Sequence, residues 1–403
     1  MPTLVENIVS THVKTPVKSG DHIEELPVDN LLINDVAAVQ LIELHKKIED
    51  LNPHPFDPSS VYVVLDHVVP PCDAKIAANL SRTKKFARSL HLHLFKEGEG
   101  IEHVLLPQNN LISPGSILLG TDSHTCTNGA LGVFAFGIGI TDALFVLFTG
   151  KFYNFTVPET VLIKCTGHLP HGVYAKDIIL YILSKLPPNP VLNKVLQFTG
   201  TPITTMSLDE TLTICNMTTE ISAKTGIIPH KIKEDLTAHF AHTFTYDITN
   251  LTPYVAVPHS PLHGKPITEI DTEITKAFLG SCTNSRLTDL EIAASILKGK
   301  TIKDTVDLYV VPGSRKIYEK AVQTGIITTL TKAGALILPS NCAACFGRHM
   351  GVLGPDDICI SSANRNYIGR MGSKKAKVYL GSPATVAASA VSGKITDPRE
   401  VIP

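Results

Sequence analysis

At 403 residues the chain has room for two or three domains of about 150 residues each. Apolar residues make up 43% of it and charged residues 18%, which supplies large cores and excludes a disordered chain. Lys and Arg total 36 against 37 Asp and Glu, so no basic excess points to a nucleic-acid backbone or an anionic membrane as partner. Trp is absent and aromatics are 6%, which leaves little for stacking single-stranded bases.

The first residues, Met1 to Asn7, have no basic stretch followed by an apolar core. No signal peptide is expected, and the cytoplasm is the expected compartment. In a reducing compartment the eight cysteines are more apt to bind metal or do chemistry than to form disulfides. Val61 to Leu65 reads as a buried strand with Asp66-His67 at its carboxyl end, followed by a helix over Ala74 to Leu90. Ser116 to Gly120 reads as a second strand, ending at Thr121-Asp122-Ser123-His124. Ala130 to Gly150 is the most apolar long stretch, but its glycines and Asp142 argue against a membrane span. A buried helix after a glycine-rich turn is expected there.

Phe152 to Pro158 reads as a connector before a strand at Thr160 to Cys165, and Val257 to Gly264 as a Pro/Gly-bracketed linker. Leu308 to Val311 then runs into Pro312-Gly313-Ser314-Arg315, and Ala335 to Leu338 into Pro339-Ser340-Asn341-Cys342. The recurring order of apolar strand, polar or glycine-rich turn and helix predicts an α/β fold with mainly parallel sheets. The compositional breaks predict three α/β domains over 1–155, 156–260 and 261–403. In such folds chemistry gathers beyond the carboxyl ends of strands.

Three sets of residues at those ends stand out. Cys342-Ala343-Ala344-Cys345 can aim two thiolates at one metal, and Cys282 in Gly280-Ser281-Cys282-Thr283-Asn284 follows another apolar run. Three thiolates suit a soft metal or an iron–sulfur cluster. A redox pair, a structural zinc site completed by His349, and inert buried cysteines are the other readings of the same spacing. Asp66-His67 and Asp122-Ser123-His124 pair an acid with a ring it can orient, which suits a proton donor, and His103 is a third candidate. Structural histidines are the plainer reading of each taken singly. Arg365 and Arg370 lie among Asn and Gly, and their planar forks match carboxylates; a solvated loop is the plainer reading.

Together these segments resemble the aconitase superfamily. Gly120-Thr121-Asp122-Ser123-His124-Thr125, Gly280-Ser281-Cys282-Thr283-Asn284, Cys342 to Gly347, and Asn364-Arg365-Asn366 through Gly369-Arg370 are similar to its signatures. Asp66-His67, Ile101-Glu102-His103 and Cys215-Asn216-Met217-Thr218-Thr219-Glu220 match further segments in order, so the likeness spans the chain. The Pro258-His259-Ser260 linker and the C-terminal Gly381 to Thr396 segment are most similar to large subunits of the isopropylmalate dehydratase and homoaconitase branch.

The resemblance implies a fold of aconitase domains 1 to 3 around a central [4Fe–4S] cluster, held by Cys282, Cys342 and Cys345, with one iron open as a Lewis acid. It implies His67 paired with Asp66 as the acid for the departing hydroxyl. Asp122 and His124 would lie in the active site, with His103 and Glu220 as partners of the iron-bound oxygen. Asn34, Ser123, Arg365 and Arg370 would meet the substrate, and Asn216 and Asn364 would lie near the cluster. The implied reaction is dehydration and rehydration of a 2-hydroxy di- or tricarboxylate. The expected substrate is isopropylmalate, with homoaconitate-, methylmalate- or aconitate-type acids as alternatives. The superfamily's swivelling domain carries the serine base in relatives. No stretch matches it, so a small swivel-domain subunit is the expected partner. A cluster-sensing RNA-binding protein is an alternative of another class, against which the balanced charge argues. Val104 after His103 and Ala343-Ala344 within the cysteine turn depart from the commoner patterns without removing a ligand.

Overall fold

The computed structural model describes residues 1–230, 232 and 235–401. Three sheets built mainly of parallel strands organise it. The first runs in the order His93–Phe95, Val61–Val64, Asn30–Asn34, Ile117–Gly120 and Phe134–Gly137, all parallel. Val61–Val64 and Ile117–Gly120 are buried at every position rather than at alternate ones. Helices covering both faces of a parallel sheet produce that pattern. The second sheet, also parallel, runs Thr225–Ile227, Val195–Thr199, Thr160–Thr166 and His242–Asp247.

The third sheet has seven strands. Ile358–Ser361, Lys276–Leu279, Asp307–Val310 and Leu336–Ile337 run parallel, with Lys377–Leu380 beside Ile358–Ser361. Tyr254–Ala256 and Gly264–Pro266 close its edge in antiparallel sense.

Caps set the helix starts that matter here. The Asn34 side chain accepts from the Ala37 amide at 2.8 Å and opens the helix Asp35–His45. Asp73 does the same for Ala74–Ser89. The apolar run after Ala130 is not one buried helix. It folds as the strand Phe134–Gly137 and a ten-residue helix, Ile140–Thr149, with Phe145 exposed on its outer face. Periodicity cannot separate strand from helix in a short apolar run, and the glycines at 137 and 139 place the break.

A 3-10 helix over Ser123–Leu131 joins the first two sheets. It lies so close to the strand Thr225–Ile227 that a Cβ on Gly129 would sit 1.8 Å from the Gly226 carbonyl oxygen. Only glycine fits there. The carboxyl ends of the first and third sheets thereby face one another, with the end of the helix Leu208–Asn216 between them.

Candidate active site

Three thiols meet in one cavity. Cys282, Cys342 and Cys345 line it, together with His67, His103, Asp122, His124, Asn364 and Arg370. Cys282 follows the strand Lys276–Leu279, and the other two sit on a short 3-10 turn after Leu336–Ile337. The backbone around them is bent. Ser281 holds φ at 78° and Ala343 at 43°, left-handed values that non-glycine residues seldom adopt. Gly347 closes the cysteine turn at φ 73°, where a Cβ would meet the Arg370 carbonyl oxygen at 2.2 Å. That contact locks the cysteine turn to the arginine loop.

Asn216 and Asn364 each aim an amide N–H at Cys282 Sγ, at 3.2 and 3.3 Å. Two donors on one sulfur treat it as a thiolate. Yet burial and the neighbouring Cys345 and Asp122 push the Cys282 thiol up to about 12, and burial likewise holds Cys342 far above its ordinary value. Thiols sharing one buried cavity do not ionise together without a positive centre between them. The donor set therefore fits a soft metal group. The other cysteines lie outside the cavity, with Cys72 exposed and Cys165 and Cys359 in the cores.

Facing the sulfurs is an array of acids and rings. His67 Nδ1 bonds Asp66 Oδ1 at 2.8 Å, and Asp35 accepts from the His67 and Val68 amides at 3.0–3.3 Å. His67 Nε2 lies 3.7 Å from Asp122 Oδ2, and the Phe346 ring stands edge-on at 5.0 Å. Burial opposes a charge on His67, but the Cys342 sulfur in its thiolate form, Asp66, Asp122 and Asp35 outweigh it and hold the ring well above its ordinary pKa. It is therefore protonated near neutrality. Burial resists ionisation of Asp122, but hydrogen bonds from His103, His124 and His67 overcome it and keep Asp122 an anion. Burial lowers His103 and leaves it neutral, with Nε2 3.1 Å from Asp122 Oδ1.

A second network holds the arginine. Arg365 Nε donates to both oxygens of Glu220 at 2.9 and 3.0 Å, and its Nη2 donates to Ser123 Oγ at 2.9 Å. His124 Nε2 lies 2.7 Å from Glu220 Oε1. Burial works to raise Glu220, but His124 and Arg365 win and lower it, so this carboxylate is charged although fully buried. Arg370 lines the cavity, and its Nε has no partner among the described residues.

The structure thus brings His67, Asp66, His103, Asp122, His124, Glu220, Ser123, Arg365, Arg370, Asn216, Asn364 and the three cysteines into one contiguous region. Asn34 stands at the edge of this region: its Oδ1 caps a helix through the Ala37 amide, and its own backbone N–H meets Thr121 Oγ1 at 3.1 Å, beside Asp122. Two residues escaped the sequence reading. Glu102 is 1% exposed and lines the cavity, and neither carboxylate oxygen has a hydrogen-bond partner among the described residues. Burial, then Asp66 and Asp122, raises its pKa well above the ordinary value, so it is a neutral acid. Lys176, also 1% exposed, lies beneath the site. Nothing in the sequence marks it: it opens the helix Ala175–Lys185 beside Asp177, as an exposed lysine would.

The aconitase family model, described as aconitate hydratase, matches residues 6–233 and 263–393. The chain belongs to the aconitase family. It is 40% identical to the 3-isopropylmalate dehydratase large subunit of Wolinella succinogenes, with 99% of each chain covered. It is 37% identical to large subunit 1 of that enzyme from Methanopyrus kandleri, over 98% of this chain and 99% of the relative. The corresponding large subunit 1 of Pyrococcus furiosus is 39% identical, with 99% of each covered. Among solved structures, holo aconitase X of Thermococcus kodakaraensis superposes with a TM-score of 0.55 over 85% of this chain and 84% of that one. At 14% identity that likeness concerns the family's fold alone. Among the described residues no helix is long and apolar enough to cross a membrane.

Proposed function

We propose that this chain is the large subunit of a hydro-lyase that isomerises 3-isopropylmalate by dehydration and rehydration, a step of leucine biosynthesis, in the cytoplasm. The observation that carries the reading is the meeting of three thiols with a protonated His67 and with Arg370, whose Nε makes no hydrogen bond among the described residues, in one cavity. The relatives named for that enzyme, similar over nearly their whole length, support the choice of substrate. We read the three parallel sheets as cores of domains 1–155, 156–260 and 261–403, with the strand at Tyr254–Ala256 reaching into the third.

Cys282, Cys342 and Cys345 would hold a [4Fe–4S] cluster. When bound, such a cluster supplies Lewis acidity at the iron that lacks a thiolate. The protein's own groups divide the remaining work. Asp66 orients the His67 ring through Nδ1, leaving Nε2 to give a proton to the departing hydroxyl. Arg370 offers a free fork to a substrate carboxylate, and Arg365, held by Glu220 and Ser123, presents a fixed charge beside it. Asp122 locks His103 and His124 at the cavity wall. A base for the weakly acidic C–H proton is the part we assign to a small swivel-domain subunit, as expected for a chain whose relatives are named large subunits.

The test is anaerobic assay of the reconstituted chain with and without a co-expressed small subunit, following isopropylmaleate hydration by loss of its ultraviolet absorbance. Activity should require both chains. Full turnover by the single chain would refute the divided site, and no turnover by the pair would refute the substrate.

A further inference from the structure

Lys176 is a charged side chain sealed inside the protein with no acid beside it. Its Nζ donates to the carbonyl oxygens of Ser362 and Ala363 at 2.8 and 2.7 Å and to Asn284 Oδ1 at 3.4 Å. Among the described residues no carboxylate lies within ion-pair distance of it; the nearest acid is reached through Asn284, whose Nδ2 donates to Asp289 Oδ1 at 2.9 Å. That bond, and a second from Asn284 Nδ2 to Thr213 Oγ1 at 3.2 Å, fix the amide so that its oxygen faces the lysine.

Three acceptors around one nitrogen match the three N–H bonds of an ammonium. A neutral amine would turn its lone pair against one of those oxygens, so the geometry is that of the charged form. An isolated buried charge is among the least favourable groups a fold can carry, and carbonyl dipoles replace its hydration only in part. Asp289, one amide away, offsets that charge in part but is shared with Arg286, so a further anionic group is needed to complete the balance.

The lysine's position shows where that charge belongs. Asn284 lies two residues after Cys282, and Ser362 and Ala363 immediately precede Asn364. Asn364 in turn donates to Cys282 Sγ at 3.3 Å and accepts from Cys345 Sγ at 3.5 Å. Lys176 therefore ties together the two loops that frame these sulfurs. Burial pulls Lys176 down to about 7, and Cys345, Asp289, Cys282 and Glu220 favour its charged form against that burial.

We propose that Lys176 is the buried countercharge of the cluster: a positioning residue that clamps the Cys282 and Asn364 loops and sets the electrostatic potential at the thiolates. The inference rests on the reading that these cysteines hold an iron–sulfur cluster. A set of three thiolates around such a group is anionic, and each electron added makes it more so. A fixed positive charge behind the sulfurs favours the reduced form, since net charge and hydrogen bonding at the sulfurs set a cluster's potential.

Two substitutions separate the clamp from the charge. Lys176→Gln keeps an N–H donor without the charge, and Lys176→Met removes both. Each full-length chain is reconstituted anaerobically with ferrous iron and sulfide, its fold is checked by circular dichroism, and the cluster's midpoint potential is read by titration with electron paramagnetic resonance. Both variants should titrate at more negative potential than the parent chain. A folded variant that takes up no cluster supports the same role. If Lys176→Met does not fold, the glutamine variant decides alone. A Lys176→Gln cluster at the parental potential overturns the proposal. A parent chain that takes up no cluster overturns the cofactor reading beneath it, a result distinct from the first.

Discussion

Glu220 offers the sharpest test of the site's energetics. Its side chain is fully buried, and it accepts from His124, twice from Arg365 and once from Tyr367 at 3.3 Å. Removing one member of such a buried pair leaves the other charge without compensation, which costs about 3–5 kcal/mol. Arg365 keeps 20% of its side chain exposed, so water recovers part of that loss. Glu220→Ala should therefore fall at the lower end, about 3 kcal/mol, and Glu220→Gln, which retains shape and one acceptor, at about 2 kcal/mol.

The pH dependence follows from the sign of the shift. The folded-state pKa of Glu220 lies below its unfolded value of 4.5, so its stabilisation is fully present above that pH. It is lost as pH falls through the folded-state pKa. Urea unfolding of the metal-free chain, followed by circular dichroism at several pH values, measures this. The gap between parent and Glu220→Gln should be widest near neutrality and shrink in acid. A gap below about 0.5 kcal/mol at pH 7, the scatter of ordinary surface substitutions, would refute the assignment of a charged, paired Glu220.

Serine at Cys282, Cys342 or Cys345 should abolish iron binding, measured as iron and sulfide per chain, whereas serine at the exposed Cys72 or the core Cys165 should not. Arg365→Lys keeps the charge but loses the fork that reaches Glu220 and Ser123 together, so KM for isopropylmalate should rise at least about tenfold in the two-chain assay. Glu102 titrates above its unfolded value, so its neutral form stabilises the fold at low pH and that advantage fades as pH rises. Glu102→Gln should therefore raise the thermal midpoint more at pH 8.5 than at pH 5.5, and an equal change at both would contradict a neutral acid.

The residue types and their order were enough to put the acids, rings and thiols at strand ends. Asp66-His67, Asp122-Ser123-His124 and Cys282 each follow a run of apolar residues that forms a buried parallel strand, and a strand's carboxyl end points its next residues into the space between sheets. Local signals of that kind are carried by neighbours in the chain. The helix after residue 139 was legible for the same reason, while the strand Phe134–Gly137 was hidden because pairing with Ile117–Gly120, a distant segment, decides it.

Charge state and partnership belong to the tertiary structure alone. Asn34 reads as a substrate ligand in the sequence; that its amide oxygen also caps a helix through the Ala37 amide shows only in the fold. Glu102 and Lys176 look like ordinary surface residues in the sequence. Only burial, set by elements far along the chain, makes one a neutral acid and leaves the other an amine with no carboxylate beside it. A residue's solvation depends on everything packed around it, and no spacing of letters encodes that.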